Sequence, residues 1–191
     1  LTQDTLVIFT SDNGKAPYTG AKELEEMGHF SSGPLRGYKA SVYEGGHRVP
    51  FIVRWPGTVL PGSVCHQLVH QADVLATLAH VLDVPLPPEA GEDSFSLLPL
   101  LRGENRTIRP HAVSCASSGV PSIRDGSWKL ILNEKPELYN LAEDLAETTN
   151  LADRYPDRVE AMKNLLEKLI REGRSTPGPR QKNDVPVKRY P

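Results

Sequence analysis

No stretch of this 191-residue chain approaches the roughly 18–20 consecutive apolar residues that a membrane-crossing helix needs, so no span is expected. Net charge is also small. With 22 basic and 24 acidic residues it comes to −2, and no basic excess points to nucleic acid or to an anionic lipid surface. Cysteine is scarce: Cys65 and Cys115 allow one disulfide at most and leave both their pairing and the redox compartment open. There is no internal repeat and no low-complexity segment. Neither an initiator Met nor a signal peptide precedes the first apolar run, because Leu1-Thr-Gln-Asp-Thr5 leads straight into it, as expected of a cut through a longer protein. What the chain does have is turn chemistry, with 15 Gly and 17 Pro. Its 38% hydrophobic and 24% charged content is ordinary for a soluble globular protein.

The apolar periodicity divides the chain by character. Leu6-Val-Ile-Phe9 is a short continuous run, as in a parallel strand buried on both faces, and it stops at Thr10-Ser-Asp-Asn-Gly14. Residues 15–48 lack sustained periodicity and read as one long, functional loop. Phe51-Ile-Val-Arg-Trp55 reads as a second strand. From Asp73, a candidate N-cap, Val74, Leu75, Leu78, Val81 and Leu82 share one face of a helix that Pro85 stops. Ser96–Leu101 forms a short turn or helix ending near Gly103. Beyond about residue 109 the character changes. Ala112–Ala116 reads as a strand, and Ser122–Arg124 and Trp128–Leu132 form a hairpin about Asp125-Gly126. Pro156 opens a helix whose Val159, Met162, Leu165, Leu166, Leu169 and Ile170 recur at helical spacing up to Gly173. The division expected is residues 1–108 as α/β, 109–174 as a small α+β subdomain, and 175–191 as an extended tail.

Four groups of residues could carry chemistry. Asp12 and Asn13 sit just past the carboxyl end of a strand, where open α/β sheets place ligands, and offer hard oxygen donors suited to Ca²⁺ or Mg²⁺. Asp-Asn-Gly is equally a favoured turn sequence. Lys39, followed by Glu44-Gly45-Gly46, can bring an ammonium and backbone N–H groups to an oxyanion, although lysines in polar loops are common. His29 and His47 lie in the same long loop, where they either line a pocket or hydrogen-bond locally. His66 and His70, four apart, would share a helix face but have no third ligand in register. Neither cysteine has the charged neighbours of a nucleophile, so buried thiols are expected.

Taken in order, Thr10–Gly14, Ser32-Gly-Pro-Leu-Arg-Gly-Tyr-Lys39, Tyr43-Glu-Gly-Gly-His-Arg-Val-Pro50 and Val53-Arg-Trp-Pro-Gly57 resemble the second half of the type I sulfatases. Ile123–Leu130 and Leu138-Tyr-Asn-Leu141, with Glu147 and Asn150-Leu151, are similar to that family's C-terminal hairpin and the stretch before its last helix. The resemblance runs to about Thr176. It implies an alkaline-phosphatase-like α/β fold with a subdomain of antiparallel sheet and one helix. It also implies Asp12 and Asn13 as calcium ligands, Mg²⁺ being the second choice, and Lys39 as a sulfate-contacting catalytic group; His47, by its place in the same loop, is the further substrate-binding candidate. The substrate implied is a sulfate ester, a sulfated sugar being the natural case, and such enzymes are commonly exported to periplasm, lysosome or the cell exterior. In place of the nucleophile there is a departure. The family makes a formylglycine from Cys/Ser-x-Pro/Ala-x-Arg, yet Cys65 precedes His-Gln-Leu-Val and Cys115 precedes Ala-Ser-Ser-Gly. The nucleophile is therefore expected in an N-terminal half upstream of Leu1. A phosphatase or phosphonate monoester hydrolase of the same superfold, and a non-catalytic interaction fragment, are the alternatives.

Overall fold

The computed structural model describes residues 2–185 and 187. In chain order the elements are β1 (Val7–Thr10), α1 (Ala21–Glu26), α2 (Glu44–His47), β2 (Phe51–Arg54), α3 (Asp73–Val81), α4 (Leu98–Leu101), β3 (His111–Cys115), β4 (Pro121–Asp125), β5 (Trp128–Ile131), β6 (Glu137–Asn140) and α5 (Pro156–Glu172). β1 and β2 pair in a two-stranded sheet, and β3-β4-β5-β6 form a four-stranded one in that order. The chain divides into two compact units. One holds the described residues up to Ile8, Ile52–Ala112 and Leu165–Val187; the other holds Phe9–Phe51 and Val113–Asn164. No helix among the described residues is long and apolar enough to cross a membrane.

The second unit carries the denser core. β4 and β5 pair antiparallel with Asp125 opposite Trp128, so the two-residue turn is Gly126-Ser127 rather than Asp125-Gly126. Gly126 alone has positive φ, at +57°, as glycine at the first central position of a type II′ turn requires. β6 continues the ladder, pairing Leu130 with Leu138. Ile123, Leu130, Ile131, Leu132 and Leu138 are fully buried, and burial of each is worth about 1.5–3 kcal/mol. Arg158 in the first turn of α5 stacks 4.6 Å over Trp128, which also meets Tyr155 edge-on. α5 begins at Pro156 as expected and buries Val159, Met162 and Leu166 at helical spacing, with Asp157 and Arg171 complementing its dipole.

In the first unit the helix at Asp73 forms with its faces reversed from expectation. Ala72 occupies the N-cap position, and Asp73 is the first helical residue, fully buried. Its carboxylate accepts the N–H of His70 at 2.8 Å and of Phe95 at 2.9 Å, and Arg109 Nη2 lies 2.6 Å away. Thr77 is buried beside it, whereas Leu75, Leu78 and Leu82 are exposed. The buried ion pair and its backbone partners, not the leucine stripe, set which face turns inward. Val7 and Phe9 of β1 and Ile52 of β2 are exposed as well. The stretch after α5 lies along this unit through Arg174, which donates to the carbonyls of Pro88, Thr176 and Pro179. Pro186 and residues 188–191 of the expected tail fall outside the described residues.

Candidate functional site

Asp12 and Asn13 lie just past the end of β1, after Ser11, as read from sequence. Asp12 is exposed, and its carboxylate has no hydrogen bond or ion pair among the described residues. Ser11 Oγ donates to Asn13 O at 2.9 Å and Asn13 Nδ2 donates to Gly14 O at 3.0 Å, so the turn ties down the amide nitrogen and leaves Asn13 Oδ1 available. A free carboxylate beside a free amide oxygen fits a hard cation. Among the described residues no group of three or more His, Cys, Asp or Glu could complete such a site.

Residues 15–48, expected as one loop, contain two short helices, and the second explains the geometry around Lys39. α2 is a single turn, Glu44–His47. Its glycines let three backbones meet. Gly14 N donates to Gly46 O at 2.9 Å, and Gly45 N to Arg36 O at 2.8 Å. A Cβ on Gly14 would fall 1.8 Å from Gly45 O, and one on Gly46 would fall 2.2 Å from Ser41 O. The turn bearing Asn13 and the segment bearing Lys39 therefore rest on the same backbone surface. Lys39 N also donates to Lys15 O at 2.9 Å, while its side chain is exposed and carries no ion pair among the described residues. His47 Nε2 lies 3.3 Å from Glu44 Oε1. His29 is exposed beyond α1. His66 and His70 lie outside any helix, so the shared-face argument for a metal pair does not hold; His70 Nδ1 instead accepts the Ala72 N–H at 3.1 Å. The cysteines, expected as buried thiols, are both free and exposed.

Beneath α2 lies a buried charge cluster that was not foreseen. Lys129 of β5 places its ammonium 3.0 Å from Glu44 Oε1 and 2.8 Å from Glu147 Oε1, the latter without hydrogen-bond alignment. Glu147 Oε2 accepts the Glu44 N–H at 2.7 Å. Arg48 and Arg124 approach Glu44 Oε2 at 3.4 and 3.9 Å. Burial works against ionisation of Glu44, but the His47 hydrogen bond and the Lys129 charge outweigh it and hold the carboxyl well below the usual range. Lys129 was hidden because a lysine between Trp128 and Leu130 reads as the solvent face of a strand.

Comparison with known proteins decides the family. The family model described as Sulfatase matches residues 1–84. An N-acetylgalactosamine-6-O-sulfatase of Bacteroides thetaiotaomicron is 36% identical over 88% of this chain and 37% of its own length. Human arylsulfatase A is 35% identical over 95% of this chain and 41% of its own. The chain belongs to the sulfatase family. It spans about two fifths of the length of these relatives. A solved structure from work on glycosaminoglycan metabolism by B. thetaiotaomicron superposes with TM-score 0.82 and 36% identity, covering 88% of this chain and 39% of that one. A phosphonate monoester hydrolase of Agrobacterium radiobacter superposes with TM-score 0.61 at 25% identity, covering 87% and 35%. The fold is accordingly the alkaline-phosphatase-like α/β type, here its C-terminal part with an antiparallel sheet and a C-terminal helix.

Besides the two cysteines, a serine of this sulfatase chain stands in the sequence context of a formylglycine precursor. Ser32-Gly33-Pro34-Leu35-Arg36 is the only serine- or cysteine-led stretch that fits Ser-x-Pro-x-Arg. In the structure Leu35 N donates to Ser32 O in a turn. Arg36 stacks 3.7 Å over Tyr43 and donates to Glu147 O at 2.8 Å.

Proposed function

We propose that this chain is the C-terminal part of a sulfuric ester hydrolase, with Lys39 at the sulfate group and Asp12 and Asn13 as two ligands of a Ca²⁺ ion. The observation that carries the proposal is the seating of the Asn13 turn and the Lys39 segment on α2, in a chain whose relatives are sulfatases. Cleavage of a sulfate ester shifts negative charge within the sulfuryl group and onto the leaving oxygen. An unpaired ammonium held on fixed backbone offsets that charge without reorganising. His47, its Nε2 occupied by Glu44, has Nδ1 left to contact a substrate oxygen. Calcium, or less favourably Mg²⁺, would add Lewis-acid charge at the same oxygens. Asp12 and Asn13 supply two of the roughly six to eight oxygens such an ion takes. The formylglycine nucleophile belongs to an N-terminal portion of the enzyme. Ser32 is assigned to the lysine segment, because Arg36 of its motif is already committed to Tyr43 and Glu147. A sulfated sugar is the substrate class, by analogy with the N-acetylgalactosamine-6-O-sulfatase, and an exported location goes with that substrate. The phosphonate hydrolase likeness favours the same superfold with phosphorus chemistry as second reading.

The test is kinetic, in the full-length enzyme. Lys39→Ala lowers kcat/KM for an aryl sulfate by roughly 10²–10³-fold, and Lys39→Arg does not fully restore it. Asp12→Ala loses activity and bound calcium together. An unchanged rate in Lys39→Ala would place the lysine outside the pocket, and a phosphate monoester turned over faster than the sulfate would favour the second reading.

A further inference from the structure

Glu147 is buried completely and held at φ +53°, a left-handed conformation that glutamate seldom adopts. Such strain persists only where the surroundings impose it. The contacts show what imposes it. The carbonyl of Glu147 accepts Arg36 Nη1 at 2.8 Å, and its Oε2 accepts the Glu44 N–H at 2.7 Å. One residue from the segment after β6 thereby grips the chain at positions 36 and 44, the two ends of the stretch that carries Lys39. Lys129 aims the carboxylate, being 2.8 Å from Oε1. A lone helical turn such as α2 cannot hold its own place, since nucleation of a helix is unfavourable. Its Gly45 N–H reaches back to Arg36 O, closing the stretch into a loop, and Ala40 O is fastened to Ser117 N at 3.0 Å.

We infer that Glu147 is a positioning residue for Lys39: it fixes both ends of the 36–44 loop and so sets where the ammonium stands. This rests on the catalytic role proposed for Lys39. It also gives the C-terminal sheet a part in the reaction that neither the exposed lysine nor its sequence neighbours disclose.

The test is a double-mutant cycle in the full-length enzyme, using Glu147→Gln, Lys39→Ala and the pair. Activity is read as kcat/KM on a chromogenic aryl sulfate, at saturating calcium and well below every variant's Tm. Glu147→Gln keeps the main-chain carbonyl but removes the charge by which Lys129 aims the side chain at the Glu44 N–H. Alone it is expected to lose roughly 10–100-fold, the range seen when the partner that orients a metal ligand is removed. In the Lys39→Ala background it should lose under about twofold, because nothing remains to be positioned. Met162→Ala, a buried change in α5, should lower Tm while leaving kcat/KM intact. Equal loss in both backgrounds, or no loss from Glu147→Gln when Lys39→Ala is impaired, overturns the inference. Full activity in Lys39→Ala sinks the role of Lys39 itself, a different result. If Glu147→Gln does not accumulate, Arg36→Met releases the other grip from a half-exposed position. Its loss must likewise vanish in the Lys39→Ala background, and additivity there overturns the inference as well.

Discussion

Glu44 and Lys129 illustrate how a residue's role depends on partners that lie far along the chain. Glu44 was visible as part of a Glu-Gly-Gly motif, and the lysine five residues before it was marked for chemistry. Lys129, 85 positions after Glu44, carried no local signal, because pairing across that separation is settled by the fold alone. Taking away its charge leaves Glu44 and Glu147 buried with too little compensation. Lys129→Met is expected to cost about 3–5 kcal/mol, measured by denaturant unfolding. The acid limb of stability follows from the same contacts. The folded carboxyl of Glu44 lies below its ordinary value of 4.5, so its contribution is complete above that pH and is lost as pH falls below it. Glu44→Gln should be less stable than the parent near neutrality but lose less further stability on acidification below about pH 4.5. Parallel Tm-versus-pH curves for the two proteins would remove Glu44 from the account.

Elements were legible where local chemistry decides them and illegible where packing does. β5 and α5 announced themselves, the helix through Pro156 and an unbroken apolar period. The hairpin turn was shifted by one residue, because Asp-Gly and Gly-Ser both suit tight turns and the strand register chooses between them. α2 was not foreseen. Glycine pairs argue against helix, and this turn exists because the backbones of Gly14, Arg36 and Ser41 crowd against it. Gly45→Ala should therefore destabilise far more than Gly103→Ala. The first puts a Cβ 2.3 Å from Gly37 O, whereas the second meets nothing within 4 Å and bears only the strain of its positive φ, roughly 1 kcal/mol. Comparable Tm losses would show that the α2 backbone is not packed as described. α3 failed for the opposite reason: a leucine stripe promised an inward face, and the Asp73–Arg109 pair turned the helix round.

For the molecule as a whole, the exposed apolar side chains bear on behaviour in solution. Val7, Phe9 and Ile52 on the two-stranded sheet, Leu75 and Leu78 on α3 and Leu82 just after it face solvent in this chain. Patches of that kind drive association. Light scattering on the purified 191-residue chain should report self-association that an added N-terminal portion suppresses. The central claim is that this chain supplies charge and position for sulfate cleavage while the nucleophile comes from elsewhere. Its most direct test is turnover of a chromogenic aryl sulfate by the chain alone and by the chain mixed with the matured N-terminal portion, with the mass of the Ser32 peptide recorded after co-expression with the maturation enzyme. The account predicts no turnover alone, turnover on mixing, and an unmodified Ser32. Turnover by the chain alone, with an aldehyde at Ser32, would contradict it.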